Sequence, residues 1–254
     1  MLPKPFRRAR ELTLSLERLY HPDGKSLGSL IAGLSGSGKT TMAISTLQQA
    51  VKSSSFGEFH RFVIIDPKCQ FGDYDLLADP IRDMKKIEKS ILKERVTVIW
   101  PDLEFLEADV GYIVDYLFHI ADSDPRTSFT VVLDEASILI TPTKIPLSLK
   151  RLSVQGRAKR IKPIFLSQRP IVNRWTDANL SNLLLFNTLP VDFDTLSKRW
   201  GVDFVQNGSQ LREVDYSFMW FDMEKATFKM MLPVELPKPR PKKRKGRFAR
   251  LFNL

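Results

Sequence analysis

The eight residues Gly33-Leu34-Ser35-Gly36-Ser37-Gly38-Lys39-Thr40 lie between an apolar run at 27–32 and a segment with Met42, Ile44, Leu47 and Val51 at helical spacing. A strand, a glycine-rich loop and a helix in that order form a phosphate cradle. Gly33, Gly36 and Gly38 let the backbone bend so that its N–H groups point inward at anionic oxygens. Lys39 has the reach to meet terminal phosphates, and the Thr40 hydroxyl is a ligand for Mg²⁺. Thr41 follows in the first turn, and the helix directs its positive end at the same anion. Gly33 to Thr41 is therefore the expected nucleotide-binding segment, with ATP and Mg²⁺ as the expected cofactors.

The rest of the chain repeats the alternation of short strands and helices. Residues 61–66, 95–100, 130–134, 163–167 and 182–187 read as strands. Residues 40–52, 80–92, 106–121 and 147–160 read as helices, the last of them basic. Near the N-terminus, Leu12, Leu14 and Leu16 alternate with polar residues as an edge strand would. Residues 216–221 and 227–232 flank Asp222-Met223-Glu224-Lys225-Ala226 and predict a terminal hairpin. This order predicts a mostly parallel central sheet covered by helices on both faces. Its organisation reads as an N-terminal arm with an edge strand (1–26), one α/β domain (27–235) and a basic tail (236–254).

The 254 residues, 43% of them hydrophobic, suffice for one large domain with a buried sheet. No apolar run approaches the roughly 18 residues of a membrane span, and the basic start lacks the apolar stretch of a signal peptide. The chain is thus expected to stay in the compartment where it is made. Cys69 is the only cysteine, which rules out an internal disulfide. The net charge of +10 is uneven: eight basic and no acidic residues follow Glu235, leaving about +2 for residues 1–235. A charge bias carried by an extension points to a polyanionic partner. Lys242, Lys243, Arg244, Lys245 and Arg247 are the expected contacts. From Pro237 onward the composition reads as disordered when free.

Three further motifs bear on chemistry. Val131-Val132-Leu133-Asp134-Glu135 is a buried strand ending in two carboxylates. Asp134 is placed to order a Mg²⁺ shell and Glu135 to polarise an attacking water. A water-activating Glu favours hydrolysis over transfer to a small acceptor. Ser167-Gln168-Arg169-Pro170 ends the next strand, so Gln168 falls on the ligand-binding edge of a parallel sheet. Gln155-Gly156-Arg157-Ala158-Lys159-Arg160 precedes that strand and offers arginines suited to gripping phosphate, although basic helices are usually solvated faces.

Taken together, these motifs resemble the FtsK–HerA superfamily of ring-forming DNA-pumping ATPases, over about residues 27–187. Gly156-Arg157-Ala158, followed by Phe165-Leu166-Ser167-Gln168-Arg169-Pro170, is similar to the family's GRA…TQRP segment, with Ser167 in place of Thr. Val63-Ile64-Ile65-Asp66-Pro67-Lys68 also matches. The resemblance implies a RecA-like P-loop NTPase fold of the additional-strand type. It further implies a hexameric ring with ATP between subunits and DNA in the channel. Lys39 and Thr40 would hold phosphate and Mg²⁺, Asp134 would order Mg²⁺, Glu135 would activate water and Gln168 would sense phosphate. Arg157 would act on a neighbouring subunit's ATP, with Arg160 and Arg151 as the other candidates.

A bare motor of this size looks most like the genome-packaging ATPases of tailless, membrane-containing double-jelly-roll viruses. That resemblance implies a place at the virion packaging vertex and in the host cytoplasm. The tail, ending in Phe248, Leu251, Phe252 and Leu254, would touch DNA, a capsid vertex or a membrane protein, or serve only solubility. The alternative within the same superfamily is a coupling ATPase of conjugation or of a mobile element.

Overall fold

The computed structural model describes residues 6–7, 16–22, 27–75, 78–170 and 172–240. Nine strands form one sheet: β1 (Phe6–Arg7), β2 (Gly28–Ala32), β3 (His60–Ile65), β4 (Val96–Ile99), β5 (Ser128–Leu133), β6 (Ile161–Ser167), β7 (Leu180–Leu185), β8 (Phe218–Asp222) and β9 (Thr227–Met231). Their order is β1-β9-β8-β7-β2-β6-β5-β3-β4. All run parallel except β8, which is antiparallel to both β7 and β9. β6 lies between β2 and β5, which is the additional-strand arrangement expected from the sequence.

Among the described residues, eight α-helices cover the sheet: α1 (Leu16–Tyr20), α2 (Lys39–Lys52), α3 (Met84–Lys93), α4 (Leu106–Ser123), α5 (Leu147–Gln155), α6 (Arg174–Asp177), α7 (Pro190–Trp200) and α8 (Phe204–Gln210). One core cluster packs α3, α4, α5, α7 and α8 on one face; the other packs α1 and α2 on the opposite face. Both faces are covered, so β2 and β7 are buried along their whole length and are mostly apolar, with Ser29, Ser181 and Asn182 as buried polar exceptions.

The structure corrects several sequence expectations. Leu16 begins a helix, not the end of a strand. Leu16, Leu19 and Tyr20 recur at helical spacing and are buried against α2, where the Tyr20 hydroxyl meets Thr46 at 2.6 Å. Residues 12–15 lie outside the described residues. The N-terminal edge strand is Phe6–Arg7, paired with Met230 and Met231. β6 starts two residues before Pro163, which pairs with Val131 inside a central strand. The basic segment 147–160 is not one helix: α5 stops at Gln155 and a 3-10 turn takes up Arg157–Lys159.

The expected free tail does not begin at Pro237. Residues up to Arg240 cross the body as a strap. Gln48 on α2 grips Lys238 both ways, its Oε1 accepting from the Lys238 amide at 2.9 Å and its Nε2 donating to the Lys238 carbonyl at 2.8 Å. The Asp75 amide donates to the same carbonyl, and the Arg240 amide donates to the Asp73 carbonyl. Backbone pairing offsets the low apolar content that predicted disorder. Residues 241–254, including Lys242, Lys243, Arg244, Lys245 and Arg247, lie outside the described residues.

Gly156 has a steric cause. A Cβ there would stand 2.4 Å from the Leu152 carbonyl oxygen and 2.5 Å from that of Ile161. Its φ of −54° and ψ of −43° suit alanine, so the penalty is purely one of contact. Gly156→Ala is expected to lower unfolding stability by about 1–3 kcal/mol. Denaturant titration checks this; an unchanged midpoint would mean the chain relaxes around the methyl.

Candidate nucleotide site

The loop from Gly33 to Gly38 joins β2 to α2 and is tied to the strands on either side. Gly33 N–H donates to the Ser167 carbonyl at the end of β6, and Leu34 N–H donates to the Asn187 carbonyl just past β7. Gly33 has φ 152°, and a Cβ there would lie 2.6 Å from that of Phe186. Gly38 caps α2 in the left-handed region, φ 100°. The first-turn amides of Lys39, Thr40 and Thr41 have no carbonyl of the helix to meet, which leaves them for an anion. The Lys39 ammonium folds back onto the Leu34 carbonyl at 2.8 Å. Burial lowers its pKa, while the Glu135 carboxylate pulls it upward.

A cavity of about 780 Å³ opens over this loop, lined by Ser35, Gly36, Gly38, Lys39, Thr40 and Thr41 together with Lys68, Asp134 and Glu135. That volume falls within the roughly 300–1,000 Å³ of small-molecule sites. Parallel strands bring their C-terminal ends to one edge, so the carboxylates after β5 and the loop after β2 face the same space.

Asp134 is buried; its Oδ1 accepts from the Glu135 amide at 3.0 Å, and its Oδ2 has no protein partner. Burial, with the neighbouring Asp66 carboxylate adding to it, pushes the Asp134 pKa up to about 6. Such an orphaned, desolvated carboxylate oxygen, in a cavity that Thr40 also lines, fits a hard cation. Among the described residues no group of three or more His, Cys, Asp or Glu could hold a metal by itself. A Mg²⁺ ion here would take the balance of its ligands from phosphate and water.

Glu135 has φ 50° and ψ 43°, the left-handed region, and is 7% exposed. The Lys68 ammonium pairs with its Oε2, and the Ser137 hydroxyl donates to Oε1 at 3.0 Å. The Gln168 side chain also hydrogen-bonds it. Burial raises the Glu135 pKa, but Lys68, Ser137 and Gln168 outweigh it and hold the carboxyl below its usual value. Glu135 is thus an ionised acceptor next to a carboxyl, Asp134, whose pKa burial raises. Gln168 and Glu135 are brought together as the strand order implies.

Arg157 is not brought to this edge. Its 3-10 turn precedes β6, whereas Gln168 follows β6, so the whole strand separates them. Arg157 is exposed. Arg160 is committed to backbone, donating to the carbonyls of Ala121 at 2.7 Å and Thr127 at 3.1 Å. Arg151 pairs with Asp115 at 2.9 Å and lies over the Phe118 ring. Arg169 is clamped by Asp192, a fully buried carboxylate that also accepts from Thr188 at 2.7 Å.

Sequence reasoning left Asp66 and Lys68 out of the site. Asp66 Oδ2 accepts from the Phe71 amide at 2.8 Å and from the Trp100 indole at 3.1 Å, which folds the 66–71 loop so that Lys68 reaches Glu135. The Asp-Pro-Lys at the end of β3 was the available signal. Phe186, Tyr216, Phe218, Pro233, Val234 and Leu236 also line the cavity and carry no motif.

No protein-family model matches the chain, and no curated protein matches it in sequence. Solved structures do. The genome packaging NTPase B204 from Sulfolobus turreted icosahedral virus 2, in complex with ATP-γS, superposes with a TM-score of 0.66 at 14% identity, covering 83% of this chain and 98% of that one. This is the P-loop NTPase fold. VirB4 of Thermoanaerobacter pseudethanolicus shares the fold with a TM-score of 0.57 at 13% identity, covering 83% of this chain and 90% of that one. B204 has also been solved with AMPPCP, at a TM-score of 0.65 and 15% identity, covering 84% of this chain and 100% of that one. The loop at Gly33–Thr40 and the acidic end of β5 line one cavity of this fold.

Proposed function

We propose that this chain is an FtsK–HerA-type ATPase that hydrolyses ATP at subunit interfaces of a ring, a hexamer by resemblance, to drive DNA into a preformed viral capsid. The observation that carries the reading is the placement of the ionised Glu135 across one cavity from Lys39, with Gln168 on its carboxylate. That grouping suits hydrolysis, because a carboxylate held ionised accepts a proton from water. The likeness to a genome packaging NTPase over nearly its whole length supports the viral role.

In this reading the amides of the loop and of the first turn of α2 hold the phosphates. Lys39 exchanges the Leu34 carbonyl for terminal phosphate oxygens. Thr40 and Asp134 hold Mg²⁺, which supplies charge neutralisation on the phosphates. Glu135 takes the water's proton at its carboxylate. Gln168, beside that carboxylate, orients the water or registers the terminal phosphate. Arg157 acts on the ATP of the adjacent subunit. The Lys242–Arg247 stretch contacts DNA or a docking partner at the packaging vertex.

Purified protein of measured oligomeric size is expected to hydrolyse ATP faster when DNA is added. Hydrolysis unchanged by both single- and double-stranded DNA, in a confirmed oligomer, removes translocation. The likeness to VirB4 supports a second reading, a coupling ATPase of conjugation or a mobile element. Capture of a relaxase, and a gene beside one rather than beside capsid genes, would favour it.

A further inference from the structure

The cavity over the loop has two unlike ends. The sheet order sets β6 and β5 on one side of β2, and β7, β8 and β9 on the other. The charged residues Asp134 and Glu135 come from the β5 side. From the other side come Phe186 after β7, Tyr216 and Phe218 at the start of β8, and Pro233, Val234 and Leu236 after β9. β8 runs opposite to its neighbours, so its start reaches the same edge as their ends.

This second end is built from rings and aliphatic groups. Phe186 and Phe218 stack with centroids 5.1 Å apart. Tyr216 takes the left-handed region, φ 59°, and lies against Gly38, its Cδ1 3.2 Å from where a Cβ on that glycine would be. Tyr216 is nevertheless 60% exposed, and Leu236, which lines the same cavity, is 83% exposed. Residues 233–236 are held in place by the Gln48–Lys238 clamp, and Gln48 belongs to the helix that carries the phosphate loop. An exposed tyrosine ring and the Pro233, Val234 and Leu236 side chains line one end of the cavity whose other end is the phosphate cradle.

We propose that Tyr216 and the strap at 233–236 form the base slot of this nucleotide site, gripping the nucleobase by stacking. The inference rests on the reading of the cavity as a nucleotide site and adds which part of the ligand goes where. The side chains that line this end of the cavity are rings and aliphatic groups; Glu235 of the strap is exposed and not among them, and the Gln70 amide enters from the β3 side, so this end offers a surface for the ring face. Stacking of this kind tolerates any base, since each has a π face. The site is accordingly built for ATP and GTP alike.

The test is calorimetric binding to the full chain of non-hydrolysable analogues of ATP and GTP and of inorganic tripolyphosphate. Tyr216→Ala is expected to weaken both analogues by about tenfold to a hundredfold, and to leave tripolyphosphate unchanged. Tyr216→Phe keeps the affinity of the wild type. Val234→Asp, on the opposite wall, repeats the selective loss. If Tyr216→Ala weakens tripolyphosphate and analogues equally, the ring only shapes the loop and the slot is refuted. Unchanged analogue binding in Tyr216→Ala also refutes it, leaving the nucleotide site standing. A wild-type chain that binds neither analogues nor tripolyphosphate overturns both.

Discussion

Glu135→Gln is expected to lower turnover by about 10²–10⁴-fold while leaving nucleotide affinity near that of the wild type. The amide keeps the size of the carboxylate and can still accept from Ser137, which now donates to Glu135 at 3.0 Å. It cannot take up a proton from water. It also loses its attraction for Lys68, the ammonium that pairs with Glu135. The hydrogen bonds of the phosphate cradle stay in place, since Lys39 rests on the Leu34 carbonyl and the loop is tied to Ser167 and Asn187; only the upward pull of the Glu135 charge on Lys39 is lost. Single-turnover hydrolysis and equilibrium binding, measured on one preparation, separate the two effects. Wild-type turnover in the variant would move the base elsewhere. Lys39→Ala provides the contrast, because it loses binding as well.

Arg157→Ala is expected to cost still more, about 10³–10⁵-fold in kcat, if it supplies the positive charge opposite the leaving phosphate. Geometry restricts how it does so. The seven residues of β6 separate Arg157 from the edge that carries Gln168 and the loop. At about 3.3 Å per residue that is about 23 Å, beyond the span of an arginine side chain. Arg157 therefore cannot serve its own cleft, and the proposed role requires a neighbouring subunit's. Mixing Arg157→Ala with Lys39→Ala chains tests this directly. Rings of both contain interfaces where an intact loop faces an intact Arg157, and partial activity should return. No recovery in rings shown to be mixed would remove the role.

The architecture was legible where local pattern and burial coincide. β2 through β7 are apolar because both faces of the sheet are covered, and each appears in the sequence as a short hydrophobic run. The hairpin β8–β9 was legible from its turn residues. α7 and α8 were not, although Pro190 at the start of one and Asp203 capping the other are ordinary helix signals. They fall in a stretch without a strong apolar period. Pro163 hid the start of β6, since proline removes a ladder donor and argues against a central strand.

Within the site, the residues close in sequence to a glycine loop or an acidic strand end were readable: Gly33–Thr41, Asp134, Glu135 and Gln168. The partners that adjust them were not. Lys68 meets Glu135, 67 positions away in the chain, only because Asp66 folds the intervening loop. Tyr216 and the strap at 233–236 reach the cavity through sheet order, which no local pattern encodes.

Glu135 sits in a left-handed backbone conformation that side chains with a Cβ seldom adopt, at a cost of about 1–3 kcal/mol. A glycine at 135 would carry no such cost. Selection for thermal endurance alone would therefore erode this position, and selection for turnover must hold it. Residue 135 is where a library screened for heat resistance and a library screened for hydrolysis should part company, the first drifting toward glycine or asparagine and the second retaining an acid.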